Sequence, residues 1–206
     1  MPATRKTSKE DIINASIRIV RKEGFDSLNA RRLAKELNCS TQPLFYAYKN
    51  MDEIKKDVIE EIYNIFYENI FKSNYEKLVY KDIGRNYVMF AIKEPVLYKI
   101  LFASSKTEAL SNLMNLTGPL ESVRNLISNQ TGLNTSDALE FHKVMWLYTN
   151  GITSSIVGNI YTLDEDEIDR LLGEHYFSRL LFEYKKGKVK EEVIDFYMNN
   201  KLKKTK

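Results

Sequence analysis

The side chains of this 206-residue chain that could make or break bonds, or hold a metal, are few. His142 and His175 have no partner at metal-ligand spacing, and each reads as a packed or surface helix residue. Cys39 is alone, which excludes a disulfide framework and a cysteine-based metal cluster. Asp164, Glu165, Asp166 and Glu167 are consecutive, so on a helix they fan around the axis, and a helix N-terminus accounts for them. No Gly-rich phosphate loop, nucleophile elbow or H-E-x-x-H pattern occurs. The expectation is no catalytic residue, no cofactor and no metal. Recognition chemistry is better supplied. Residues 1–50 carry ten Lys/Arg against five Asp/Glu, whereas the rest of the chain is slightly acidic. A basic head of this kind fits a polyanion.

The elements that must position these groups read as helices. Gly and Pro are scarce, at 8 and 4 residues, which favours an all-α architecture. Apolar residues are 43% and charged residues 29% of the chain, an ordinary globular balance. The longest apolar run, Tyr87–Ile92, is far short of a membrane span, and the first residues lack a signal-peptide core. A cytoplasmic protein without membrane attachment is expected.

The spacing of Thr7 and Glu10 predicts a reciprocal cap on a first helix. Ile12, Ile13, Ile17 and Val20 form its apolar stripe, and Gly24 stops it. Asn29 caps a short second helix with Leu33, Ala34 and Leu37 inward. Asn38 suits a sharp turn, Ser40 can cap the next helix, and Thr41–Tyr48 forms that third helix. Two short helices joined by such a turn make a helix-turn-helix pattern.

Ile13, Ala15, Glu23-Gly24-Phe25, Ser27-Leu28, Arg31-Arg32-Leu33-Ala34, Leu37, Ser40, Leu44-Phe45, Tyr48-Lys49-Asn50 and Glu53-Ile54 sharpen that reading. With them, Ile12–Ile54 closely resembles the DNA-binding domain of the tetracycline-repressor (TetR) family of bacterial regulators. Phe45 stands where the family usually has Tyr, Ala47 where His is frequent, Met51 where Lys is common and Asn38 where Gly is usual. Phe45 and Met51 each remove a phosphate-binding group.

The resemblance implies a helix-turn-helix DNA-binding domain over residues 1–51 and a helical effector-binding and dimerisation domain over 52–206. It implies a homodimer on palindromic double-stranded operator DNA, released by a small apolar or amphipathic effector. Thr41, Gln42 and Tyr46 are the candidates for base or groove contact, with Arg31 reaching in from the preceding helix. Gln can pair bidentately with adenine and Arg with guanine. Ser40, Lys49 and the backbone amide opening the fourth helix are phosphate candidates, and Phe45 completes the DNA-facing set. Two rival readings stay open: a TetR-like DNA-binding protein with an architectural or partner-recruiting role, and an all-α small-molecule-binding protein.

Beyond residue 52 the stripes continue without repeats or a flexible linker. Ile54, Val58, Ile62, Ile65 and Phe66 open a long fourth helix expected to join the domains rigidly. Ile83, Tyr87, Phe90 and Ala91 come next, ended before Pro95; then come Leu110, Leu113 and Met114, a break at Thr117-Gly118-Pro119, and Val123, Leu126 and Ile127. Two longer helices, about Thr135–Ile160 and Asp164–Lys186, close the body. Tyr63, Phe66, Tyr67, Tyr87, Phe90, Phe102, Met114, Trp146 and Asn150 are the ligand-site candidates, with core filling as the competing and stronger reading for any single aromatic residue. Trp146, Asn150 and Gly151 resemble a Trp-(His)-Gly pattern of some TetR members, with Asn in place of His. Gly151, Ser155 and Gly158, with Ile168, Leu172 and His175, are the dimerisation candidates on the last two main helices, where intramolecular packing is the competing reading.

Overall fold

A computed structural model describes residues 7–71, 79–102 and 117–202. Met114, with the Leu110 and Leu113 stripe, lies outside them. The described residues are helical, in the order α1 (Lys9–Glu23), α2 (Ala30–Glu36), α3 (Gln42–Ala47), α4 (Met51–Ile70), α5 (Tyr80–Lys93), α6 (Pro95–Phe102), α7 (Thr117–Thr131), α8 (Thr135–Val157), α9 (Glu165–Lys185) and α10 (Glu191–Leu202). Among them, no helix is long and apolar enough to cross a membrane.

The chain divides into two compact units, residues 1–68 with 93–113, and residues 69–92 with 114–206. This division differs from the 51/52 boundary read from the sequence. In the first unit Ile54, Val58 and Ile62 of α4 are fully buried, and α6 packs on α1. Arg21 makes a two-pronged ion pair with Glu94, just ahead of α6, at 2.9 and 3.0 Å.

Local chemistry sets the helix bounds. Ser8 and Asp11 cap α1 reciprocally, each side chain accepting from the other's backbone N–H at 3.0 Å. The cap therefore falls one residue later than the Thr7–Glu10 pairing. Gly24, at φ +84°, ends the helix in a conformation that a side chain would strain. The Asn29 side chain accepts from the Arg32 N–H at 3.0 Å and starts α2. Asn38 turns the chain at φ +50°. Thr41, not Ser40, occupies the position before α3, and no side chain caps that helix. Leu44, completely buried, anchors α3 to the unit's core.

In the second unit α8 packs against both α7 and α9, and α10 against α9. Ala138, Phe141, Met145, Thr149 and Thr153 form the buried line of α8, and Ile168, Leu172, Tyr176 and Leu180 that of α9. Asn134 and Asp164 cap these helices through the N–H groups of Asp137 and Glu167. Thr117–Thr131 is one helix from its start, so the Thr117-Gly118-Pro119 signal marks its first turn, where Pro is tolerated.

Candidate functional site

The exposed surface of the first unit is built on a scaffold that consumes one of two adjacent arginines. Arg32 pairs with Glu23 at 2.8 Å and with Glu36 at 3.0 Å, and Glu36 also receives Arg18 at 3.2 Å. The Arg32 guanidinium holds the Glu23 carboxyl below its ordinary value. The bonds from Arg18 and Arg32 do the same for Glu36. Arg31 is exposed and makes no ion pair among the described residues. The two arginines differ: Arg32 braces α2, and Arg31 takes no part in that bracing.

Gln42, Phe45 and Tyr46 follow one another along the outer face of α3, and Tyr46 is 76% and Phe45 43% exposed. Gln42 Nε2 donates to Tyr46 Oη at 2.6 Å. Ser40 and Lys49 are exposed at the two ends of this face, and Thr41 is half-buried. All seven sequence candidates, Arg31 to Lys49, thus lie on the α2–α3 region with accessible side chains. The fourth-helix amide is less simple. Asn50 Oδ1 accepts from the Glu53 N–H at 3.0 Å, while the Glu53 carboxylate accepts from the Lys49 N–H at 2.9 Å. The Glu53 amide is already satisfied, and a carboxylate sits beside it.

The ligand-site candidates do not converge. In the first unit Phe66 meets Phe102 edge-on at 5.2 Å, and Tyr63 lies 6.4 Å from Phe66 and 6.3 Å from Tyr67. In the second unit a cavity of about 40 Å³ opens among α5, α8 and α9. Of the nine candidates, Tyr87 and Trp146 line it. Phe90 is buried away from its wall, and Asn150 accepts a hydrogen bond from the Tyr87 hydroxyl at 3.2 Å.

Nine of the eleven lining residues were not among the ligand-site candidates, Tyr80, His142 and Tyr176 with them. Tyr80 Oη and His142 Nδ1 share a hydrogen bond of 2.8 Å. Burial pushes His142 down to about 4, so its ring is neutral at pH 7. Burial pushes Tyr176 up to about 12 and raises Tyr80 as well. The wall is largely aromatic and apolar, with Lys81 as its one lysine. The signal in the sequence was the matched spacing of Tyr80, Ile83 and Tyr87 on one helix and His142, Met145, Trp146 and Thr149 on another.

The dimerisation candidates divide. Ile168 and Leu172 are 1% and 2% exposed and pack against Val88 and Met89 of the same chain. Their apolar stripe faces inward, which corrects their assignment to an interface. His175 stacks on Tyr148 at 3.9 Å, and its buried Nε2 has no hydrogen-bond partner among the described residues. Gly151 and Gly158 remain on the surface, in line with Leu147, which is 55% exposed. On α9 the exposed large apolar side chain is Phe182, covered by Arg179 and Lys186 at 5.0 and 4.1 Å.

No protein-family model matches the chain. An uncharacterized HTH-type transcriptional regulator of Haemophilus influenzae is 24% identical over 119 residues, which are 56% of this chain and 62% of that relative. The match therefore spans less than two thirds of the relative's length. A TetR-like transcriptional regulator from Rhodococcus sp. RHA1 superposes with a TM-score of 0.59 at 16% identity, over 90% of this chain and 99% of the other. A single-substitution variant of TetR from Acinetobacter baumannii AYE, solved in complex with minocycline, gives 0.53 at 15% identity, over 86% and 97%. The chain has the TetR-type fold, an N-terminal helix-turn-helix domain with a helical C-terminal domain. The names carried by these proteins are those of transcriptional regulators and not of enzymes.

Proposed function

We propose that this chain is a DNA-binding transcriptional repressor that acts as a homodimer on a palindromic operator. The observation that carries the reading is the division of labour on α2 and α3. Leu33, Ala34, Leu44 and Arg32 hold the helix pair in place, while Arg31, Gln42, Tyr46 and Lys49 stand exposed. Long polar side chains on a rigid helix pair are what base edges and phosphates require.

The second copy would dock on the outer faces of α8 and α9, where Leu147, Gly151 and Phe182 are exposed. The effector would enter the aromatic cavity of the second unit. Ligand sites of drug-like size run to roughly 300–1,000 Å³, against about 40 Å³ here, so binding must part the lining helices. That displacement supplies the conformational change a released repressor needs.

A footprint of the purified protein on the DNA flanking its own coding region tests the reading. Two protected half-sites with dyad symmetry, centred roughly 34–36 Å or a multiple apart, are expected. Protection spread evenly over the fragment would favour the architectural alternative.

A further inference from the structure

We infer that Tyr46 positions the Gln42 carboxamide for reading adenine, so that the two residues form one recognition unit on α3; this rests on the DNA-binding reading above. Gln42 opens the helix and Tyr46 lies four residues later, on the same face. Both side chains are exposed, Tyr46 by 76%. Neither serves the core, so the 2.6 Å bond between them is a surface feature of the helix itself.

An unpaired exposed Gln rotates about three torsions and loses that freedom on binding. Pairing to Tyr46 removes part of the loss beforehand and fixes the sense of the amide. One Nε2 hydrogen goes to Tyr46 Oη. The other Nε2 hydrogen and Oε1 remain side by side as one donor and one acceptor. Adenine presents the complement in the major groove, an N7 acceptor beside an N6 donor. Guanine presents two acceptors there, N7 and O6, and would set O6 against Oε1. Positioned this way, Gln42 selects adenine, and Tyr46 sharpens the selection without replacing it.

The test selects duplexes from a random library with the full-length wild type, Tyr46→Phe, Gln42→Ala and the double variant. Wild type should recover a motif with adenine at a fixed position in each half-site. Gln42→Ala should erase the preference there, a loss of about five- to hundredfold. Tyr46→Phe keeps the ring and removes the hydroxyl, and should weaken preference at that one position by about three- to tenfold, leaving the rest of the motif intact. In the Gln42→Ala background it should add nothing. Tyr46→Phe with an unchanged motif, or with its effect undiminished in that background, overturns the coupling. A wild type that enriches no motif at all overturns the DNA-binding reading and the inference with it. Both positions are exposed, and equal melting temperatures of the four proteins separate recognition from folding.

Discussion

Arg32 Nη2 lies 2.8 Å from Glu23 Oε1, tying α2, the first helix of the helix-turn-helix, to the last turn of α1. The neighbouring Arg31 shares none of this bracing. Arg32→Ala should therefore lower the melting temperature and weaken DNA binding as a consequence, while Arg31→Ala should leave the melting temperature unchanged and cost about tenfold or more in specific affinity. Thermal melts and anisotropy titrations on the two variants check the separation; equal melting losses in both would contradict it.

Lys49 is exposed at the end of the proposed DNA-facing surface, and its Nζ has no ion pair among the described residues. Removing one phosphate contact reduces the slope of log affinity against log salt by about one. Lys49→Ala should show that reduction on specific and non-specific duplexes alike. An unchanged slope takes Lys49 off the phosphate face.

His142 carries a pH dependence of known sign. Its folded value, pushed down to about 4 by burial, lies below the ordinary value near 6.5. The unfolded chain takes up the proton first, so stability is full above pH 6.5 and falls as the pH drops toward 4. The loss is at most about 3 kcal/mol. Denaturant titrations at pH 7.5 and 4.5 should show it, and His142→Gln should remove this part of the difference. The same pH dependence in the variant would mean that other groups govern it.

Gly151, on the surface face of α8 proposed to meet a second copy, and Gly158, which caps the end of that helix, are unequal as probes. A Cβ at Gly158 would approach the Ser154 carbonyl oxygen at 3.0 Å, so a side chain there strains the protomer itself. A Cβ at Gly151 meets nothing within 4 Å. Gly151→Leu should keep the fold and melting behaviour of the separated chain while yielding monomers in sedimentation. A dimer as tight as wild type would place the interface elsewhere.

Local signals carried the head of the molecule well. Gly24, Asn29 and Asn38 each define a helix end or turn through their own backbone or side chain, and each acts where the sequence indicates. The start of α1 shows the limit of such signals. Thr7–Glu10 and Ser8–Asp11 are the same pattern shifted by one residue, and the cap forms on the second. In the body, periodicity identifies an apolar stripe but not what it faces, which is why Ile168 and Leu172 read as interface and prove to be core. The cavity joins Tyr80 to His142 across 62 positions of the chain, and only the folded arrangement of α5 and α8 brings the pair together. Tyr63 and Phe66 share the composition of a ligand wall, yet their rings meet one another, Tyr67 and Phe102 rather than the cavity.

The most direct measurement is fluorescence anisotropy of the full-length protein on a duplex recovered by selection and on a scrambled duplex of equal length, across a salt series. Sequence-specific recognition by the α3 face should give at least about a thousandfold tighter binding to the selected duplex at physiological salt, with affinity for both falling as salt rises. Equal affinity for the two duplexes at every salt concentration would contradict sequence-specific DNA recognition by this chain.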